Sequence, residues 1–167
     1  MKGAARILSA LTFTIALWCI GLPSAQAQTL VALGASNTYG KGVARNQAYP
    51  AQLEATLRAQ GLRVRVVNAG INGDTTEGML RRLDRAVPKT TSAVLLQPGG
   101  NDRRQGSVDR TAEIQASLSA RGIPVIMIAN NMFRGLPHQA DQMHLTPEGY
   151  RMLAETVASQ VRGVIGR

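Results

Sequence analysis

Residues 29–42 read TLVALGASNTYGKG, and this stretch decides how the rest of the chain is interpreted. Its first five residues form a short apolar run of the kind that makes a buried β-strand. The turn after Gly34 places Ser36 just beyond the end of that strand. A glycine-rich turn in this position usually holds a phosphate group or exposes a nucleophilic side chain. Two interpretations follow, a phosphate-binding loop around Lys41 or a nucleophile at Ser36.

The spacing within this stretch does not fit the common nucleotide-binding patterns. A P-loop reads G-x-x-x-x-G-K-[ST]. Here five residues separate Gly34 from Gly40, and Gly42 stands where Ser or Thr is required. The dinucleotide pattern G-x-G-x-x-G is also absent from this turn. We therefore interpret Lys41 as a solvated surface lysine and Ser36 as the candidate nucleophile.

Outward from this strand, apolar runs alternate with segments of helical spacing. The runs at 29–33, 64–68, 92–99 and 123–130 are predicted strands, and the segments at 49–60, 75–87, 108–122 and 146–165 are predicted helices. The runs are apolar throughout, which indicates strands that are covered on both faces. Helix-length crossovers indicate a parallel sheet with right-handed connections. We predict one three-layer α/β/α domain with a parallel sheet of four to five strands.

The polar and glycine-rich loops after these strands should meet at one edge of the sheet, where sites form in such folds. They read GASNTYG, NAGINGDT, PGGND and NNMFRGLPHQADQMH. The fourth loop contains both histidines of the chain, His138 and His144. Asp141 precedes His144 by three residues, so its carboxylate can orient one imidazole nitrogen while the other faces Ser36.

An acyl-transfer site also needs hydrogen-bond donors for an oxyanion. Gly73 can offer a backbone N–H without an obstructing Cβ, Asn101 can offer its side-chain amide, and the Ser36 N–H would be a third donor. Gly73 and Asn101 also suit ordinary turns.

These four segments, GASNT, INGDT, GGND and DQMHLTPEGY, resemble the four blocks of the SGNH (GDSL-type) hydrolase family. The nearest match is the thioesterase I/lysophospholipase/arylesterase branch. The resemblance covers nearly all of residues 28–167. It implies a flavodoxin-like α/β/α fold and no metal or organic cofactor.

The resemblance further implies a serine esterase that cleaves small acyl or aryl esters, thioesters or lysophospholipids through an acyl-enzyme. Ser36 would be the nucleophile, His144 the general base and then acid, and Asp141 its orienting partner. Ser36, Gly73 and Asn101 would form the oxyanion hole. Two other functions stay open, a carbohydrate O-deacetylase of the same fold and a non-catalytic binding module.

The sequence departs from the family pattern in two places. Ala35 stands where the family usually has the Asp of Gly-Asp-Ser-Leu, a residue that braces the turn. Only ten residues separate Asn130 from Asp141, where family members usually carry a longer insertion. We expect a shallow, open pocket, with Met132 and Phe133 as candidate walls; ordinary anchoring of both in the core is an equal alternative.

Residues 1–27 have the pattern of a secretory signal peptide, which leaves residues 28–167 as the hydrolase domain. A basic start is followed by an apolar run and by small residues at Ala25 and Ala27. No other long apolar run follows, and cleavage would remove Cys19, the only cysteine. We expect a periplasmic or secreted protein that does not span the membrane and has no disulfide.

The net charge is +9, and it would fall to +7 when Lys2 and Arg6 leave with the signal peptide. The arginines are scattered, which fits a solvated basic surface or attraction to anionic lipids or substrates. Nucleic-acid binding is not expected, because no basic run is interleaved with aromatic residues. The expected partner is a small ester or lipid substrate, with transient contact to an anionic membrane surface, and the protein is expected to be a monomer.

Overall fold

The computed structural model describes residues 27–166, and the predicted signal peptide lies outside the described residues except for Ala27. The strands are β1 (Gln28–Gly34), β2 (Val64–Gly70), β3 (Ala93–Gln97) and β4 (Val125–Met127). The α-helices are α1 (Ser36–Tyr39), α2 (Tyr49–Ala59), α3 (Thr76–Arg81), α4 (Leu83–Ala86), α5 (Asn101–Gln105), α6 (Thr111–Ala120) and α7 (Pro147–Ile165). Short 3-10 helices cover Arg45–Gln47 and Asn130–Phe133.

The four strands form one parallel sheet in the order β2-β1-β3-β4, which confirms the predicted parallel α/β architecture. β1 is an inner strand that pairs with β2 on one side and with β3 on the other. The strand order reverses between β1 and β3, and open α/β sheets bind ligands at such a switch point. The turn that carries Ser36 leaves the sheet at this place.

The core lies on both faces of the sheet, as the continuous apolar runs predicted. Leu30 and Ala32 of β1 pack in one buried cluster with residues of α2 and α7. Val31 and Leu33 face the opposite way and pack with residues of α3, α4 and α6. Successive side chains of a strand point to opposite faces, so a strand between two helical layers needs apolar residues at every position.

Two predicted elements differ from the observed ones. The helix predicted over 75–87 is divided into α3 and α4 at Arg82, whose side chain turns inward to an ion pair with Asp74. The strand predicted over 123–130 contains only three residues in β4, because the chain turns into a 3-10 helix at Asn130. Among the helices of residues 27–166, none combines the length and the apolar character needed to span a bilayer.

Candidate active site

A chain of hydrogen bonds joins Ser36, His144 and Asp141 at the carboxyl edge of the sheet. The Oγ of Ser36 lies 2.9 Å from Nε2 of His144. The other ring nitrogen, Nδ1, lies 2.5 Å from Oδ2 of Asp141. The residue His144 is buried, with 5% of its surface exposed. The fold thus brings Ser36 together with Asp141 and His144, which were predicted from a second, distant segment of the sequence.

The turn from Asp141 to His144 holds the carboxylate in place. Oδ1 of Asp141 accepts hydrogen bonds from the backbone N–H groups of Met143 and His144, each at 3.0 Å. Gln142 allows this tight turn by adopting a left-handed backbone conformation with φ of 56°. The side-chain contact with His144, followed by the two backbone N–H groups, lowers the pKa of the Asp141 carboxyl. An ionised Asp141 favours a proton on Nδ1, which leaves Nε2 free to accept from Ser36.

The turn before the candidate nucleophile is braced from β3 by Gln97, a residue that sequence reasoning missed. Oε1 of Gln97 accepts a hydrogen bond from the N–H of Ala35 at 3.2 Å and another from the hydroxyl of Thr38 at 3.1 Å. All three side chains are buried. Gly34 is required because a Cβ there would lie 2.2 Å from Oγ1 of Thr38. The sequence feature that could have indicated this role is the polar residue Gln97 at the end of the apolar run of β3.

A largely buried ion pair supports the same turn from the other face of the sheet. Nε of Arg82 donates to Oδ2 of Asp74 at 2.8 Å, and the two side chains are 10% and 11% exposed. The guanidinium also donates to the carbonyl of Gly34 at 3.2 Å. Gly78 leaves room for the pair, since a Cβ there would lie 2.0 Å from Oδ1 of Asp74. The glycine inside an otherwise helical segment was the signal for this close approach.

Asn37 connects the nucleophile helix α1 to the histidine loop and to α7. Its Nδ2 donates to the carbonyl of Met143 at 3.0 Å, next to His144. Its Oδ1 accepts from the hydroxyl of Tyr150 at 2.9 Å. Burial raises the pKa of that phenol, so Tyr150 stays a donor throughout the physiological range. Asn37 therefore ties the helix of Ser36 and the loop of His144 to α7.

The two other candidate oxyanion donors line the same cleft as Ser36. Gly73 has φ of 74°, in the left-handed region that favours glycine. Nδ2 of Asn101 donates to the carbonyl of Asp74 at 2.7 Å, and its Oδ1 accepts from Arg104 at 2.5 Å. A carboxamide has two N–H donors, so one remains for a substrate after the bond to Asp74.

The cleft has a volume of about 360 Å³, and its lining includes Phe133 and Met143 as apolar residues. Met132, the other predicted wall, is not among the lining residues and packs partly buried against the core, whereas Phe133 lines the cleft and also belongs to the core. His138 is not among the lining residues, and its Nδ1 contacts the carbonyl of Leu136 at 2.7 Å. Lys41 is exposed, as predicted, and it also lines the cleft. Within residues 27–166, no group of three or more His, Cys, Asp or Glu side chains could hold a metal ion.

A Ser-His-Asp hydrogen-bond chain beside potential oxyanion donors is the arrangement found in serine hydrolases. The profile of the GDSL-like Lipase/Acylhydrolase family matches residues 32–120, more than half of the chain. The protein therefore belongs to the GDSL-like lipase/acylhydrolase family.

Two curated relatives carry related names. Esterase TesA of Pseudomonas aeruginosa is 37% identical over 97 residues, and an arylesterase of Vibrio mimicus is 32% identical over 102 residues. The matches cover 58% and 60% of this chain and 47% and 49% of the relatives, so the matched region spans about half the length of each relative. The crystal structure of TesA superposes with a TM-score of 0.66 at 26% identity, covering 83% of this chain and 100% of that one.

Proposed function

We propose that this protein is a serine esterase that hydrolyses carboxylic esters or thioesters of small acyl or aryl groups through an acyl-enzyme. The observation that carries the proposal is the continuous hydrogen-bond chain from Asp141 through His144 to Ser36. Family membership and the similarity to proteins named esterase and arylesterase support it.

In the proposed acylation step, Ser36 Oγ attacks the ester carbonyl carbon while its proton passes to Nε2 of His144. The negative charge of the tetrahedral intermediate falls on the former carbonyl oxygen. N–H groups of Ser36, Gly73 and the Asn101 amide would donate to it. The intermediate collapses as the C–O or C–S bond breaks, and His144 gives its proton to the departing alcohol or thiol.

In the proposed deacylation step, a water molecule takes the place of the leaving group. His144 accepts a proton from this water, the resulting hydroxide attacks the acyl carbon, and the same proton returns to Ser36 as the carboxylic acid leaves. Asp141 stabilises the imidazolium in both steps without being protonated.

The test is the turnover of p-nitrophenyl acetate and butyrate by wild type and by Ser36→Ala. We expect the variant to lose about three or more orders of magnitude in kcat/KM. An organophosphonate probe should add one adduct at Ser36, located by peptide mass spectrometry. A variant with wild-type turnover would refute the nucleophile assignment. Ligand affinity without turnover across an ester panel would favour a binding module, and faster acetate release from acetylated glycans would favour an O-deacetylase.

We further propose that residues 1–27 are a signal peptide and that the protein works in the periplasm or outside the cell. The basic start, the apolar run and the small residues before position 28 support this proposal. Expression of the full chain followed by fractionation and intact mass measurement should find a product that begins at Gln28. A full-length cytoplasmic product would contradict it. Membrane contact and a monomeric state stay predictions.

A further inference from the structure

Three cations lie around the cleft that contains Ser36. Lys41 approaches from the turn after α1, and Arg103 and Arg104 belong to α5, which follows β3. No aspartate or glutamate of residues 27–166 is among the residues lining this cleft. The cleft is therefore positive at its rim.

Three aspartates of neighbouring segments already have other hydrogen-bond or ion-pair partners. Asp141 contacts His144, Asp74 pairs with Arg82, and Asp102 accepts from the N–H and hydroxyl of Thr76. These carboxylates are engaged in structural or triad contacts and do not offer a counterion to the cleft cations.

The cleft cations differ from several arginines elsewhere on the surface, which pair with carboxylates. Such pairs are Arg58–Glu54, Arg81–Glu77, Arg110–Glu113 and Arg121–Asp84. Within residues 27–166, no side-chain ion pair engages Lys41 or Arg103, and Arg104 contacts the neutral amide of Asn101. Clustered like charges without counterions repel one another, so an anionic ligand would relieve this repulsion.

The guanidinium of Arg104 and the backbone of Lys41 are each held by a hydrogen bond. The guanidinium of Arg104 is held by Oδ1 of Asn101 at 2.5 Å, beside a proposed oxyanion donor. The backbone of Lys41 is fixed by Nε2 of Gln139, which donates to its carbonyl at 2.8 Å. Phe133 and Met143 add an apolar surface to the same cleft. The cleft thus offers an apolar wall together with a charged rim.

On the basis of the esterase function proposed above, we infer that the preferred substrates are small aryl or acyl esters that carry an anionic group, a carboxylate or a phosphate. The anion would bind to Lys41, Arg103 and Arg104, and the apolar part would lie against Phe133 and Met143. Guanidinium groups suit both anions because they form paired hydrogen bonds with carboxylate and phosphate oxygens. Hydrolysis itself consumes one water and releases a carboxylic acid and an alcohol or phenol.

The experiment compares four aryl acetates that differ only in one ring substituent. 4-Acetoxybenzoate and 4-acetoxyphenyl phosphate are anionic, 4-acetoxybenzamide is neutral and similar in shape to the benzoate, and 4-acetoxyphenyltrimethylammonium is cationic. Each kcat/KM is divided by the rate of hydroxide-catalysed hydrolysis of the same ester, which removes differences in intrinsic reactivity.

We expect at least one anionic ester to exceed the amide by about tenfold at low ionic strength, with the cationic ester slowest. The preference should shrink in about 0.5 M salt, where charges are screened within a few ångströms. Arg103→Gln and Lys41→Gln should each reduce the anionic-to-neutral ratio by roughly threefold to tenfold. Lys89→Gln makes the same charge change in the exposed turn before β3, at the other end of the sheet, and should leave the ratio unchanged.

Equal turnover of the anionic and neutral esters would overturn the inference while leaving the esterase function intact. A ratio that Arg103→Gln and Lys41→Gln do not change would overturn it as well. If wild type hydrolyses none of the four esters while its fold is intact by circular dichroism, the proposed esterase function itself fails.

Discussion

The side-chain oxygen of Gln97 accepts a hydrogen bond from the backbone N–H of Ala35, 3.2 Å away on the neighbouring strand's turn. The same oxygen accepts from the hydroxyl of Thr38, one turn into the nucleophile helix. Ala35 occupies the position where the resemblance led us to expect a bracing aspartate. The brace is present, but it comes from β3 rather than from the turn itself.

Gln97→Leu should therefore lower kcat of the ester assay by roughly tenfold to hundredfold while changing KM little, because Ser36 loses its fixed orientation. It should also lower the free energy of unfolding by about 1–3 kcal/mol, since a buried N–H is left without an acceptor. Gln97→Glu keeps an acceptor and should recover part of kcat. If Gln97→Leu is destabilised but has wild-type kcat, Gln97 has only a structural role.

Gly73→Ala tests the proposed oxyanion donor against a matched glycine. Gly73 and Gly122 have φ of 74° and 68°, and a Cβ at either position would meet no atom within 4 Å. Alanine at either site should cost about 1 kcal/mol of stability through backbone strain. Only Gly73→Ala should also reduce kcat/KM, by roughly tenfold to hundredfold, because the N–H would move. Equal activity of the two variants would remove Gly73 from the oxyanion hole.

Asp141→Asn should reduce kcat by about 10³-fold or more, because the imidazole loses the charge that selects its tautomer. The folded-state pKa of Asp141 is lowered from the ordinary value of 3.8. Its ionised form therefore stabilises the fold above that value, and the contribution disappears as the pH falls through the lower folded-state pKa. The stability difference between wild type and Asp141→Asn should be largest near neutral pH and should narrow below about pH 4, measured by urea unfolding.

Asp109→Asn is the control for that experiment. The contacts with Thr111 also lower the pKa of Asp109, at a position outside the cleft lining. The difference in free energy of unfolding between wild type and Asp109→Asn should also become smaller at low pH. The ester turnover of Asp109→Asn should match that of wild type. A loss of turnover in both variants would show that the change in net charge, rather than the contact with His144, causes the effect.

Asn37→Ala and Tyr150→Phe separate the two bonds made by Asn37. Tyr150→Phe removes only the bond from α7 and should cost about 1 kcal/mol of stability. Asn37→Ala also removes the bond to the Met143 carbonyl and should lower kcat by about tenfold, since the histidine loop can shift away from Ser36. Phosphonate labelling rates at Ser36 measure the effect directly. If the two variants label equally slowly, the bond to Met143 does not position His144.

The sheet, its parallel direction and its site edge could be predicted because they depend on local patterns. A continuous apolar run such as 29–33 identifies a strand buried on both faces, and the loops after such strands meet at one edge. Ser36, Asp141 and His144 could be proposed because few residue types can perform acyl transfer. The distances between these three side chains could not be predicted, because they depend on how the last helix packs on the sheet.

The braces of the site were missed because they are long-range contacts with weak local signals. Gln97 reads as the end of a strand, and Arg82 reads as an exposed position in a helix. Only the three-dimensional structure shows that Arg82 turns inward to Asp74 and that Gly78 leaves space for this pair. Met132 packs against the core, which was the alternative left open for it, and Phe133 both lines the cleft and belongs to the core.

Ser36 and His144 are separated by 108 positions in the chain, and their contact depends on the histidine loop that leads into the C-terminal helix α7. A chain that is still being synthesised therefore carries a serine hydroxyl without its base. The phosphonate adduct at Ser36 can accordingly report the completion of folding. The adduct should form only after the last helix has packed against the sheet and brought His144 to Ser36.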